Sequence, residues 1–295
     1  FFFKQKTAYE IRNCDWSSDV CSSDLHVIRG DDHLNNAFRQ AQIYAAAGWE
    51  LPAFGHIPLI HGADGAKLSK RHGAVGVEEY RDQGYLVEAV FNALLRLGWS
   101  HGDDEIISRD QAIEWFDLPD VNRGASRLDM DKMLALNAHY LKEKGAEELL
   151  TLAQPFIEAE GWKDLSDQEI ARLVLGMPAV ADRAKTLADI GSMAKYYLQE
   201  PPIEIEEKAQ KALGEDGLAV VADMVDAFGG VESWTEEGIK AALSGYAEAK
   251  ELKVGKVFQP LRAALTGAMA SPGVTEVAFA FGKEKTLKHL KAVLG

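Results

Sequence analysis

The chain has 295 residues, a formal net charge of −14 at pH 7 and 47% hydrophobic residues, enough for a substantial core and two or more domains. The acidic balance argues against general nucleic-acid binding, and no apolar run approaches the roughly 20 residues that a transmembrane helix needs. The only cysteines, Cys14 and Cys21, lie near the N-terminus. The rest of the sequence therefore holds no disulfide framework or cysteine zinc site, which fits a reducing cytoplasm.

The first 25 residues differ in pattern from the rest of the chain. They start with three phenylalanines and show neither the apolar run nor the cleavage site of a signal peptide. Residues 4–11 and 15–25 resemble conceptual translations of sequencing-library primer and adapter DNA. We interpret residues 1–25 as an assembly artefact and expect them to be disordered. The alternative is a genuine divergent N-terminus.

A partial α/β region is predicted next. Val27-Ile28 and residues 57–60 are short apolar runs typical of buried strands, and the amphipathic segment 37–47 predicts the crossover helix of a βαβ unit. A polar cluster at residues 29–33 follows the first strand. A glycine-rich loop with two lysines follows the second, at residues 61–73.

The remainder of the chain is predicted to be helical. Residues 87–95 carry apolar side chains at helical spacing. From about Gly145 onward alanine, leucine, glutamate and lysine dominate, with helices predicted over 170–188 and 235–252. Pro201-Pro202 indicates a joint between two subdomains near residues 201–206.

The lysine loop carries the most specific motif. Closely spaced cations can stabilise the charge of a polyphosphate, and flanking glycines allow a loop to close and reopen. A bare K-x-x-K would more often be a solvated turn. However, Lys67-Leu68-Ser69-Lys70-Arg71 resembles the KMSKS signature of class I aminoacyl-tRNA synthetases, in its KLSKR form.

Further motifs extend this resemblance to bacterial glutamyl-tRNA synthetases over residues 26–295. They occur in the family's order, at residues 26–36, 54–60, 76–80, 94–100 and 259–267. The helical C-terminus separates the chain from glutaminyl-tRNA synthetases, which end in β-barrels. It also separates the chain from the shorter paralogues that glutamylate a tRNA base, which lack this region.

The resemblance implies a fold that is mostly α with a partial α/β region. Residues 26–66 would be the C-terminal part of a Rossmann-type catalytic domain. Residues 67–144 would hold the signature loop and a helical stem-contact domain, and residues 145–295 an all-helical anticodon-binding domain.

The resemblance also implies an ATP-dependent ligase that forms glutamyl-adenylate and transfers the glutamyl group to tRNA. The expected partners are glutamate, ATP and the tRNA for glutamate, with the tRNA for glutamine left open. A cytoplasmic monomer with no membrane partner is expected. Magnesium would arrive with ATP, and we expect no protein-bound metal, because the adjacent side chains of Asp31, Asp32 and His33 cannot all face one point.

Particular residues take roles from the resemblance. Lys70 would be the main ATP contact, Lys67 would hold the phosphates, and Ser69 would donate hydrogen bonds. Asp32 and His33 correspond to positions near the ATP and the tRNA acceptor end, and a structural role for these two is equally open.

Two arginines are assigned to ligands in the same way. Arg29 would bind a carboxylate of glutamate through its planar fork, or else form a salt bridge with Asp31 or Asp32. Arg262, in the Pro-Leu-Arg motif, would contact an anticodon base, or else cap and pack its helix. An acidic chain can bind tRNA only through local positive charge. The candidates are Lys67, Lys70 and Arg71, then the lysines at 250, 253 and 256 with Arg262, and then the lysines at 283, 285, 288 and 291. For the lysines between 283 and 291 a solvated helix face is favoured.

One family motif is absent from the sequence. Class I synthetases carry His-Ile-Gly-His on their first strand–helix turn, and these 295 residues contain no such motif. We therefore expect an N-terminally truncated chain that does not activate glutamate by itself. Two functions remain open: the C-terminal part of a glutamate–tRNA ligase, or a noncatalytic tRNA-binding fragment.

Overall fold

The structure, a computed structural model, describes residues 25–62, residue 65 and residues 76–295. These residues form two compact units. The first consists of the described residues up to 65 and Phe91–Met130, and the second of Gly76–Val90 and Asp131–Gly295. Within the described ranges, no helix combines the length and the apolar character needed to cross a membrane.

The first unit contains the predicted strand–helix–strand arrangement. Strand β1 (His26–Gly30) pairs in parallel with β2 (Ala53–Ile57), and α1 (Leu34–Ala47) makes the crossover that parallel strands require. The second strand lies earlier than the predicted 57–60. Pro58 explains the shift, because proline has no N–H to donate to the ladder and β2 ends just before it.

The first unit also contains a second strand pair and a small core. Strands β3 (Ile60–His61) and β4 (Ser126–Arg127) form a second parallel pair, and α4 (Arg109–Trp115) begins at a capping box. The side chains of Trp99, Ile107 and Ala112 form the core.

The second unit is helical. Helix α2 covers Val77–Asp82 and α3 covers Val87–Leu95, of which residues 87–90 belong to this unit. The helices that follow are α5 (Met130–Glu143), α6 (Ala146–Ala159), α7 (Asp167–Ala181), α8 (Leu187–Leu198), α9 (Glu207–Ala212), α10 (Glu215–Gly229), α11 (Glu236–Ala249), α12 (Val254–Thr266) and α13 (Val274–Ala292). One large apolar cluster connects most of these helices.

A break between α7 and α8 replaces the single helix predicted over 170–188. Thr186 caps α8, since its hydroxyl accepts from the Asp189 backbone N–H at 3.2 Å. The Asp189 carboxylate accepts in return from the Thr186 backbone N–H at 2.9 Å. This reciprocal pair is a capping box, which satisfies the first N–H groups of a new helix. The helix predicted over 235–252 forms as α11, capped by Thr235.

Two glycines allow α8 to approach its neighbours closely. A Cβ at Gly176 of α7 would lie 2.3 Å from the Tyr197 ring, and one at Gly191 of α8 would lie 2.8 Å from the Cβ of Phe156 in α6. Tyr197 is fully buried. The missing side chains therefore let the Tyr197 ring lie against the backbone of α7 at Gly176 and let the backbones of α6 and α8 approach each other at Gly191.

Candidate functional site

The signature lysines lie outside the described residues. Lys67, Ser69 and Lys70 fall between residues 65 and 76, so their predicted contacts with ATP stay predictions. The structure does describe the strand that leads into the loop. This strand, β3, ends at His61, whose backbone carbonyl accepts a hydrogen bond from Leu128 N–H at 3.0 Å.

The predicted substrate arginine lies on one face of the β1–β2 pair. Arg29 is directly opposite His56, and Val27 is opposite Phe54. Side chains alternate between the two faces of a strand, so Arg29, Phe54 and His56 share a face. The guanidinium carbon of Arg29 lies 5.3 Å from the centre of the Phe54 ring, a cation–π contact. The Phe54 and His56 rings are stacked, with centroids 6.3 Å apart.

Hydrogen-bonding capacity is left unused on this face. Arg29 Nε and Nη2 and His56 Nε2 are buried, and each lacks a hydrogen-bond partner among the described residues. The Nε–Nη2 edge is therefore not engaged by Asp31 or Asp32, the alternative considered from sequence. A carboxylate fits this edge with two parallel hydrogen bonds. Sequence analysis missed His56, because the second strand was predicted to begin after it.

The polar turn after β1 is a short 3-10 helix, Asp31–His33. A Cβ at Gly30 would lie 2.6 Å from Asp32 Oδ1, so the turn brings this carboxylate against the glycine backbone. His33 is half-buried, and its Nδ1 lies 3.3 Å from Asn36 Nδ2. Among the described residues, no cluster of histidine, cysteine, aspartate or glutamate is arranged to hold a metal ion.

Arg262 lies on α12 and makes a structural contact. Its Nη1 donates to the carbonyl of Met269 at 3.2 Å, just beyond the helix end, while its buried Nε has no partner in the described part of the chain. The side chain is half-buried. The packing role named from sequence is thus present. A role toward RNA stays a prediction.

Two lysines of α13 are engaged more closely than a solvated helix face would be, whereas Lys291 is exposed. Lys283 Nζ donates to the carbonyls of Gly229 and Val231, both at 2.8 Å. Lys285 is buried and binds the Gln199 carbonyl at 2.7 Å and the Glu200 carboxylate. These lysines hold α13 against α10 and the end of α8.

An ionic cluster therefore lies at the end of α8. Lys288 also binds the Glu200 carboxylate that Lys285 contacts, and the Lys288 Nζ lies 2.7 Å from Glu200 Oε2. Burial opposes ionisation of Glu200, but hydrogen bonds from the two lysines prevail and lower its pKa to about 2. Burial also lowers the pKa of Lys285, against the opposing effect of its hydrogen bond to Glu200.

Family models match both parts of the chain. Residues 14–135 match the catalytic domain of tRNA synthetases class I (E and Q), and residues 148–294 match an anticodon binding domain. The first match begins at residue 14, inside the segment 1–25 that we interpreted as an assembly artefact. The chain thus carries a class I synthetase catalytic segment followed by an anticodon-binding domain. This confirms the predicted fold class of mostly α with a partial α/β region.

Individual relatives indicate which kind of class I synthetase the chain resembles. The chain is 49% identical over 275 residues to Glutamate–tRNA ligase 2 of Brucella ovis, covering 92% of this chain and 58% of that protein. It is 49% identical over 274 residues to Glutamate–tRNA ligase 2 of Paramagnetospirillum magneticum, covering 92% of this chain and 57% of that protein.

A solved structure agrees with these relatives. The fold resembles a glutamate tRNA ligase from Elizabethkingia meningosepticum in complex with its amino acid, with a TM-score of 0.78 and 31% identity over 91% of this chain and 56% of that one. The homologues of this chain are thus glutamate–tRNA ligases. The chain spans somewhat more than half the length of the relatives it matches.

Proposed function

We propose that this chain is part of a glutamate–tRNA ligase, which activates glutamate with ATP and transfers it to tRNA. One observation carries the proposal: a class I (E and Q) catalytic segment and an anticodon-binding domain follow each other, at 49% identity to such ligases across 92% of the chain. The unused edge of Arg29 supports it, because a substrate carboxylate would satisfy those donors.

The proposed chemistry consists of positioning and charge stabilisation. A glutamate carboxylate attacks ATP, which gives glutamyl-adenylate and pyrophosphate, and Lys67, Ser69 and Lys70 would stabilise the phosphates during this step. Asp32 and His33 would lie near the ATP, and Mg²⁺ would enter with the nucleotide. Arg29 would hold a substrate carboxylate.

The proposed RNA partner is the tRNA for glutamate, bound by a monomer, with the tRNA for glutamine as a second substrate to be tested. In the proposed division, residues 26–66 belong to the catalytic domain, residues 67–144 contact the tRNA stem, and residues 145–295 bind the anticodon. Arg262 would hydrogen-bond to, or stack on, an anticodon base.

Replacing Arg262 with alanine tests the anticodon role. We expect tRNA affinity to fall about 5- to 150-fold, the equivalent of the roughly 1–3 kcal/mol of one base contact. Arg262→Lys keeps a cation and a donor for the Met269 carbonyl but loses the planar fork. It should therefore keep the stability of the wild type and still lose affinity.

The matched control is Lys291→Ala, which removes an exposed cation from α13. It should weaken binding only through the general salt-dependent attraction to phosphates. Equal tRNA affinities for Arg262→Lys and the wild type would mean that Arg262 only packs against the protein and does not contact an anticodon base.

The second candidate function is a noncatalytic tRNA-binding fragment. The observation that favours it is the match of residues 148–294 to an anticodon binding domain, which can bind tRNA without taking part in glutamate activation. We expect ATP–pyrophosphate exchange by this polypeptide to stay at the blank rate with glutamate present. A rate clearly above the blank would show that these residues suffice for activation.

A further inference from the structure

We propose that His56 is a second contact to the substrate carboxylate and acts as a pair with Arg29. The inference rests on the proposed function, which assigned only Arg29 to this ligand. It names the residue that completes the carboxylate site on the β1–β2 sheet face, and it identifies the ligand as a carboxylate-bearing amino acid.

The register of the sheet places the two side chains together. Arg29 and His56 are paired residues of parallel strands, so their side chains leave the same face at neighbouring positions. Phe54 lies two residues before His56 and contacts both partners through its ring. The ring packs against both the guanidinium and the imidazole, and it offers neither of them a hydrogen-bond acceptor.

Three buried nitrogens on this face lack partners among the described residues. They are Arg29 Nε, Arg29 Nη2 and His56 Nε2. Folded proteins rarely leave buried polar atoms unpaired, because each one costs about 1–3 kcal/mol. Three such atoms on two adjacent side chains indicate a ligand that accepts hydrogen bonds from all of them.

The shape of the donor set favours a carboxylate. The side-on edge of a guanidinium presents two parallel N–H groups to the two oxygens of a planar carboxylate. Each carboxylate oxygen has a second lone pair, so one oxygen can also accept from His56 Nε2 when that nitrogen carries the proton. The opposite face of the strands carries Ile28, Ile57 and the exposed His26, so Arg29 and His56 lie together on one face and His26 lies on the other.

The test is a titration of the full chain, labelled with ¹⁵N at histidine, with L-glutamate. The imidazole signal of His56 is assigned by its disappearance in His56→Gln. We expect glutamate and glutarate to shift that signal saturably. Glutaramide, which carries amides in place of both carboxylates, and inorganic phosphate at the same concentration should leave it in place.

Variants then measure the contact. His56→Gln should weaken glutamate binding about 10-fold or more, as expected for a hydrogen bond to a charged group. Arg29→Gln should abolish the shift of the His56 signal. The matched control His26→Gln removes an exposed histidine from the same strand pair and should leave the glutamate affinity unchanged.

Two results would overturn the inference. One is a His56 signal that no carboxylate moves, a measurement on the wild type that depends on no variant. The other is a His56→Gln chain that binds glutamate as the wild type does while Arg29→Gln does not. Neither result would contradict the proposed function. Selective tRNA binding through residues 145–295 tests that function independently of the β1–β2 sheet.

Discussion

Replacing Asn137 with alanine is expected to lower the free energy of unfolding of the helical unit by about 2–4 kcal/mol. Asn137 is fully buried, and its amide connects two distant segments. Its Oδ1 accepts from the Leu86 N–H at 2.7 Å, and its Nδ2 donates to the Lys185 carbonyl at 2.6 Å. Alanine would leave both backbone groups without their partner and open a small void.

Urea unfolding followed by far-ultraviolet circular dichroism measures this change. Lys240→Ala, at an exposed position of α11 in the same unit, is the control and should change the free energy of unfolding by less than about 0.5 kcal/mol. Equal midpoints and slopes for Asn137→Ala and Lys240→Ala would mean that the buried amide does not hold the segments together.

The helical unit should also lose stability between about pH 6.5 and about pH 4, because of His289. This side chain is 1% exposed, and neither ring nitrogen has a hydrogen-bond partner among the described residues. Burial, reinforced by the charge of Lys285, lowers the pKa of His289 to about 4. The charge of Glu200 and the backbone groups of Leu265 and Gln199 oppose this lowering of the pKa without overcoming it. The Phe281 ring is centred 4.7 Å from the imidazole.

The sign follows from proton binding. In the unfolded chain His289 binds a proton near its ordinary pKa of about 6.5, whereas the folded chain does so only near 4. Between these values the unfolded state holds more protons, so the free energy of unfolding falls as the pH falls. The full difference corresponds to about 3 kcal/mol.

His289→Leu isolates this effect, because it keeps an apolar side chain and removes the titration. Its free energy of unfolding should be nearly independent of pH between about 6.5 and 5, where the wild type already loses stability. Glu200 affects the free energy of unfolding only in a lower pH range. Its depressed pKa of about 2 means that its contribution is lost only as the pH falls below the ordinary value near 4.5. The same slope in the variant and the wild type would exclude His289 as the source.

Local patterns predicted the helices of the C-terminal region well and some boundaries poorly. The helix over 235–252 was predicted from its composition and spacing, and the structure forms it as Glu236–Ala249. The helix over 170–188 was wrong as a single element, because alanine and leucine spacing hides the break that Thr186 and Asp189 create. Capping depends on two specific side chains, whereas periodicity averages over many.

The candidate site shows the same limit. Arg29 could be proposed from the sequence because it stands in a motif at the end of a strand, and its role toward a carboxylate stays a prediction. His56 could not, since its importance depends on the register with β1, which only a paired sheet defines. For Arg262, the sequence left both an RNA contact and a packing role open, and the hydrogen bond to the Met269 carbonyl shows the packing contact, whose partner no local pattern indicated.

The most direct test of the account is selective tRNA binding by the complete 295-residue chain. Filter binding would compare the tRNA for glutamate, the tRNA for glutamine, the glutamate tRNA with a changed anticodon, and a homopolymer RNA, over about 50 to 200 mM salt. We predict preference for the glutamate anticodon, steep loss of affinity with salt and weak binding of the homopolymer, as an acidic chain with local positive charge requires. Equal affinity for all four RNAs would contradict the assignment of residues 145–295 as an anticodon-binding domain and, with it, the proposed function.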